Sequence, residues 1–301
     1  MSSIFKGIIT PTLTPFTTAG ELYEKGFDNL FNFLSKNNVD GVFSGGSYGA
    51  FPLLSEEERM RVTSLTILMA RKYELSCIAH VGHASTALTV KLAKYAEALG
   101  ADAVAAVLPY YYSGHAYTEE NYLLHFKNLR DAVSCPIHVY NNPRTTKVSI
   151  SPELLKSLQD IGVTGMKDSG SDMERFREYA NVVWQDDKDF DLMPGSGSVF
   201  LEGFQMGARA CVAGTSVVFP DVVNDLYKAI TLNDHGACTV AQEIVNKARG
   251  VQEHLNMRPA SAYGLLKLRG VDVGVPREPW RSLNNSELLL SEQRLKELGI
   301  L

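Results

Sequence analysis

Strand-like and helix-like stretches alternate eight times between Lys6 and Leu232, and that alternation restricts the fold more than any other feature of this 301-residue chain. Short apolar runs at 6–10, 39–44, 75–81, 103–108, 137–140, 163–167, 190–193 and 207–214 read as strands. Between them the period changes. Phe27, Leu30, Phe31 and Leu34 recur at helical spacing, Ser55-Glu-Glu-Glu58 is a capping box, and Ser85 and Thr118 read as caps. Pro152 after Ser151, and Pro220, stand where prolines open helices. Eight βα repeats with no linker between them predict an α/β fold, a (β/α)₈ TIM barrel. The alternative is a doubly wound sheet, which carries a glycine-rich phosphate turn near its start. Here the glycine-rich turn follows the second strand, reads Gly45-Gly-Ser-Tyr-Gly-Ala50 and departs from G-x-G-x-x-G, so the barrel is favoured. From His235 onward the pattern is only helical. We therefore expect a barrel over 1–232 and a C-terminal helical extension over 233–301 packed on its outside.

A 45% hydrophobic content is enough for a large core, and a net charge of −5 without blocks of like charge gives no sign of a nucleic-acid partner. Cys77, Cys135, Cys211 and Cys238 form no C-x-x-C pair and read as reduced thiols. No apolar run approaches a membrane span, and Met-Ser-Ser-Ile-Phe-Lys at the start lacks an apolar leader core. The expectation is a soluble cytoplasmic protein with no membrane partner.

Side chains alternate between the two faces of a strand, so Val163, Gly165 and Lys167 share one face of the sixth strand, and His138 and Tyr140 one face of the fifth. In a barrel the chemistry sits on the loops after the strands, which gathers Ser47, Tyr48, Tyr111, Tyr140 and Lys167 on one rim. A lysine beside a tyrosine there suggests amine chemistry on a carbonyl. The plainer alternative is that Lys167 reaches solvent from a strand end and Tyr140 only packs. Gly45, Gly46 and Gly49 allow a tight turn with outward N–H groups suited to a carboxylate, or a turn that holds nothing. Asp168 should point away from the axis, and Tyr110 and Tyr112 either line a pocket or pack. A metal enzyme is one rival reading, since His80, His83 and His138 lie near strands three and five. His80-Val-Gly-His83 lacks common ligand spacing, however, and no carboxylate pattern completes it.

Six stretches in order give the chain a resemblance over nearly its whole length. They are Gly7-Ile-Ile-Thr-Pro-Thr-Leu-Thr-Pro-Phe16, Gly45-Gly-Ser-Tyr-Gly49, Leu108-Pro-Tyr-Tyr111, Val139-Tyr-Asn-Asn-Pro143, Gly165-Met-Lys-Asp-Ser169 and Val275-Pro-Arg-Glu-Pro279. The chain resembles the dihydrodipicolinate synthase / N-acetylneuraminate lyase family of Schiff-base aldolases. The resemblance implies a lyase acting on a pyruvate-type 2-oxo acid, with an aldehyde as second substrate and no metal or other cofactor. It makes Lys167 the imine-forming lysine, Tyr140 the proton shuttle, and Ser47 the hydroxyl linking Tyr140 to Tyr111. In the family that last tyrosine comes from the neighbouring subunit of a tight dimer, and two dimers usually form a tetramer. Gly46, Ser47, Tyr48 and, in the eighth strand, Val212 are then the expected substrate-binding positions. Imine formation needs a neutral amine on Lys167, which burial in an apolar barrel favours by disfavouring the charged form.

Three departures bear on specificity. Tyr48 and Ala50 stand where the family loop carries threonine and glutamate. Thr145 occupies the place of the synthase arginine that grips a semialdehyde, with Arg144 one position early and expected to point elsewhere. The loop after strand seven reads Gly195-Ser-Gly-Ser198, without the acidic residues that bind a sugar tail in the lyases. The expected substrate is thus neither N-acetylneuraminate nor the lysine-pathway semialdehyde adduct. Those two enzymes remain the near alternatives, and a catalytically inactive barrel that senses 2-oxo acids is the distant one.

Overall fold

The computed structural model describes residues 5–113 and 116–301, so the first four residues, read above for a leader, lie outside the described residues. The strands are β1 (Gly7–Pro11), β2 (Gly41–Ser44), β3 (Ser76–His80), β4 (Ala103–Val107), β5 (Ile137–Asn141), β6 (Gly165–Asp168), β7 (Asp191–Pro194) and β8 (Ala210–Cys211). They pair in parallel in the order β7-β6-β5-β4-β3-β2-β1-β8. The eighth strand is far shorter than the expected 207–214. Gly207 turns at φ 112°, and Gly214–Val217 coils into a 3₁₀ turn, leaving two residues to pair. One residue beyond β8 the Val212 N–H donates to the Pro194 carbonyl at 2.9 Å, which links β8 to β7 and nearly closes the ring.

Helices α1 (Glu24–Lys36), α2 (Glu56–Lys72), α3 (Thr86–Ala98), α4 (Glu119–Ala132), the single turn α5 (Pro143–Thr146), α6 (Pro152–Asp160), α7 (Met173–Val183), α8 (Phe200–Gln205) and α9 (Pro220–Thr231) connect and follow the strands. Three more, α10 (His235–Glu253), α11 (Ser261–Leu268) and α12 (Asn285–Glu297), come after the barrel. The capping box read from Ser55 forms in both directions: the Glu58 N–H donates to Ser55 Oγ at 3.2 Å and the Ser55 N–H to Glu58 Oε2 at 2.9 Å. The same Glu58 carboxylate accepts two bonds from Arg277, at 2.8 and 2.6 Å, and the Arg277 guanidinium lies 4.3 Å over the Phe16 ring. The 275–279 motif is therefore an anchor that ties the end of the chain to its first loops.

Strand alternation sorts the apolar side chains into two layers. Ile8, Val42, Ala79, Val139, Met166, Leu192 and Cys211 pack outward in the layer shared with the helices. Ile9, Phe43, Ile78, Tyr140, Met193 and Val212 pack inside the barrel. Lys167 follows Met166 and so faces inward, whereas Asp168 faces out. There Asp168 accepts from Asn141 Nδ2 at 2.7 Å and from the Gly170 N–H at 3.0 Å, as the sequence led us to expect. Deeper in the interior, His138 Nε2 lies 3.3 Å from Asp191 Oδ2 and its ring meets Phe5 edge-on at 5.3 Å. Gly165 leaves room for that imidazole, since a Cβ there would come within 2.6 Å of His138 Cδ2.

Candidate active site

At the carboxyl end of the strands lies a cavity of about 780 Å³, lined among others by Ser47, Tyr48, Tyr140, Lys167 and Val212. Lys167 and Tyr140 meet because β5 and β6 place them opposite one another in register. The Lys167 ammonium sits 4.2 Å over the Phe43 ring and 4.1 Å over the Tyr140 ring, and both residues are buried. Burial pushes the Lys167 pKa down, and the net direction stays downward although the Tyr140 oxygen pushes it back. Burial alone would raise the Tyr140 phenol, but the charge on Lys167 and the hydroxyls of Ser47 and Ser169 outweigh it, so the phenol lies below its ordinary value. Burial thus makes the neutral form of Lys167 easier to reach than in free lysine, and the charge on Lys167 makes the ionised form of Tyr140 easier to reach than in free tyrosine.

Around the phenol the hydrogen bonds converge. Tyr140 Oη is 3.5 Å from Ser47 Oγ, and Asn142 Nδ2 donates to Tyr140 Oη at 3.2 Å and to Ser47 Oγ at 3.3 Å. Because the amide donates to the phenol oxygen, it favours the form of Tyr140 that has given up its proton. The glycine turn is held from below. Gly45 adopts φ 62°, and a Cβ on Gly49 would stand 3.1 Å from Gly45 Cα. His80 Nδ1 bonds the Gly45 carbonyl at 2.9 Å, and its Nε2 accepts from the Val107 N–H at 3.4 Å. Burial holds that imidazole well below its ordinary pKa, so it is neutral, as this bond pattern requires. Tyr48 lies against Gly214, where a Cβ would stand 2.3 Å from the Tyr48 oxygen. The Tyr48 hydroxyl is buried and has no hydrogen-bond partner among the described residues.

Not every expected residue reaches this cavity. Gly46 lies behind it, against the Phe43 ring, where a Cβ would come within 2.8 Å of Cε1. Tyr111 is 80% exposed, at φ 81°, and does not line the cavity of its own chain. Tyr110 lines it and Tyr112 does not. The three histidines serve separately: His83 Nδ1 accepts from the Ser85 N–H at 2.9 Å, while His80 and His138 have the partners given above. Among the described residues, no three His, Cys, Asp or Glu side chains come together as metal ligands would.

Two expectations need correcting. Arg144 is not outside the site: Pro143 starts the turn α5, and Arg144 and Thr145 both line the cavity. Nor does the C-terminal extension stay wholly outside. At ~1.5 Å per residue, α10 is long enough to cross the barrel end, and Gln242 and Gln252 fasten it to the Gly197 and Gly214 carbonyls at 2.8 and 3.2 Å. Arg249, Glu253 and Arg258 thereby join the lining. Asn142 and Ser169 were also missed, although both lie inside quoted motifs; Arg249 and Glu253 carried no sequence signal beyond ordinary helical charge spacing, and Arg258, in the turn after α10, carried none.

A parallel barrel with a buried amine and a phenol at its carboxyl end defines a lyase of the Schiff-base type. The dihydrodipicolinate synthetase family model matches residues 4–298, and the chain belongs to that family. It is 31% identical over 300 residues to an uncharacterized DapA-like lyase of Halobacterium salinarum, covering 98% of this chain and 94% of the relative. It is 32% identical over 243 residues to a 4-hydroxy-tetrahydrodipicolinate synthase of Rhodopseudomonas palustris, covering 80% and 79%. Among solved structures it is similar to KD(P)GA from T. tenax, with TM-score 0.88, 25% identity and coverage of 98% and 99%.

Proposed function

We propose that Lys167 attacks C2 of a pyruvate-type 2-oxo acid to form an imine, through which a C3–C4 bond breaks to release an aldehyde or forms from one. The observation that carries this reading is the Lys167 amine, buried between two aromatic rings with its pKa pushed down by that burial. The amine adds to the carbonyl carbon and water leaves, and the protonated imine then acts as the electron sink. In condensation it loses a C3 proton to the Tyr140 oxygen to give an enamine that attacks the aldehyde. In cleavage the C3–C4 electrons form that enamine, which takes a proton back at C3 before water releases the 2-oxo acid and Lys167. In the cleavage direction Tyr140 takes the proton from the C4 hydroxyl as the bond breaks; in condensation it returns the proton to the new alkoxide. Ser47 and Asn142 hold the phenol in place for this. The carboxylate of the 2-oxo acid lies against the turn at Ser47 and Tyr48, with Val212 beneath the methyl or methylene carbon. The lysine itself supplies the electron sink, so the scheme calls for no metal or organic cofactor. A cytoplasmic setting belongs to the same reading.

Tyr111 enters from a second subunit in this scheme. Its exposure and its positive φ, costly for a side chain with a Cβ, suit a residue whose place is fixed by a neighbour. Tyr111, Tyr112 and Tyr117 meet edge to face in sequence at ring distances of 5.0 and 6.1 Å, with exposed Leu124 on α4 nearby, and that apolar strip is the proposed dimer face. Two such dimers would make the tetramer. Mixing Tyr111→Phe subunits with Lys167→Met subunits should restore turnover above that of either parent; verified mixed oligomers that stay inactive would put Tyr111 outside the neighbour's site.

Arg144 at the cavity mouth favours a second reading, 4-hydroxy-tetrahydrodipicolinate synthase. The deciding assay gives pyruvate aspartate semialdehyde, N-acetylmannosamine and simple aldehydes side by side. Our reading expects simple aldehydes to be the better partners, and efficient condensation with aspartate semialdehyde alone would hand the assignment to the synthase. Absence of turnover with all of them would leave a sensor barrel.

A further inference from the structure

The turn that carries Ser47 and Tyr48 rests on a buried brace that the imine chemistry does not use. His80 ends β3 and is 3% exposed. Its Nδ1 donates to the Gly45 carbonyl at 2.9 Å, and its Nε2 accepts at 3.4 Å from the N–H of Val107, the last residue of β4. One imidazole thus joins the turn after β2 to the ends of β3 and β4. The ring is packed among Phe51, Tyr140 and Phe43, at 4.7, 5.9 and 6.0 Å between centroids. From α2 the Arg59 guanidinium donates to the carbonyls of Gly82 and His80, at 3.0 and 3.3 Å. Arg59 is itself buried, and among the described residues no carboxylate pairs with it. Burial, and then the charge of Arg59, keeps the imidazole uncharged, so Nε2 stays an acceptor. Gly82 leaves space for this arrangement, because a Cβ there would stand 2.7 Å from the Val107 nitrogen and 2.8 Å from His80 Nε2. A peptide unit is planar and trans, so pinning the Gly45 carbonyl turns the Gly46 N–H of the same unit the opposite way and fixes where Ser47 starts. A cation and an imidazole buried against bare carbonyls cost more than an apolar core of the same volume, which makes support of the fold alone a poor reason for them.

Resting on the imine reading, we propose that His80, held by Arg59, is a positioning residue that acts on the substrate carboxylate through the 45–49 turn without touching it. Lys167 and Tyr140 handle the carbonyl and its protons, while this brace sets how well the turn grips the charged end of the 2-oxo acid. Loss of the brace therefore costs recognition of the carboxylate more than reactivity of the amine.

The test compares borohydride trapping of subsaturating pyruvate on Lys167 with trapping of methyl pyruvate, which offers the same carbonyl without the charge. The wild type should label faster with pyruvate. That pyruvate-to-ester ratio should fall by about tenfold or more in His80→Phe, which leaves the Gly45 carbonyl without its donor. His80→Asn keeps an N–H at the place of Nδ1 and should bring the ratio back to within about threefold of wild type. Gly82→Ala keeps the imidazole but crowds its Nε2, so it should lower the ratio in the same direction. Damage to the fold or to the amine slows both labels alike and leaves the ratio where it was. The proposal is overturned by a wild type that labels equally with both compounds, by a ratio unmoved in His80→Phe and Gly82→Ala, or by no recovery in folded His80→Asn. Absence of any label on Lys167 in the wild type removes the imine reading and this proposal with it, whereas labelling with an unmoved ratio removes the proposal alone.

Discussion

Lys167→Met should remove turnover of any 2-oxo acid, by about 10⁴- to 10⁶-fold, the range found when a covalent nucleophile is deleted. Methionine keeps most of the lysine stem and packs well against aromatic rings such as Phe43 and Tyr140. The barrel should stay folded and melt at or above the wild-type temperature, because a buried cation has been replaced by an apolar group. Calorimetry beside the activity assay separates lost chemistry from lost structure. Turnover within tenfold of wild type would end the assignment of Lys167.

Tyr140→Phe should cost about two to four orders of magnitude in turnover, since it deletes one oxygen that serves as general acid and base. The pH dependence carries a second, independent sign. Imine formation needs the neutral amine, so its rate rises as pH rises through the Lys167 pKa. Burial lowers that pKa, and the Tyr140 oxygen partly restores it. Deleting the oxygen removes the largest upward push against burial, so the rising limb of the trapping rate should move to lower pH in the variant. A limb that moves to higher pH would mean that Tyr140 helps to deprotonate Lys167 instead.

The parts of the site that sequence reveals are those set by strand alternation. Lys167 and Tyr140 each fall on the inward parity of a short apolar run, and the adjacent strands bring them into register without any loop having to be known. The helix starts were equally legible wherever a cap or proline punctuates them, as at Ser55 and Ser151. Loop geometry was not legible. Gly46 and Ser47 are neighbours in one turn, yet Phe43 takes the space beneath Gly46 and only Ser47 opens on the cavity. Arg144 depends on a single helical turn begun by Pro143, and a turn that short leaves no periodic trace. Arg249 on α10, and Arg258 in the turn that follows it, depend on how a helix beyond the last repeat lies across the barrel end, where amides from Gln242 and Gln252 fasten it. Tyr111 is a different case: in the proposed dimer it would act across an interface, and its own chain then holds nothing to mark its destination.

The central claim is that Lys167 becomes covalently bound to a 2-oxo acid. Incubation of the protein with pyruvate and sodium borohydride, followed by proteolysis and mass mapping, reads this directly by fixing the imine as a stable secondary amine. The account predicts a single reduced pyruvyl adduct, on the peptide that carries Gly165-Met-Lys-Asp-Ser169, with loss of activity in proportion to labelling. An adduct on any other lysine, or none in a protein that still turns over pyruvate, would contradict it.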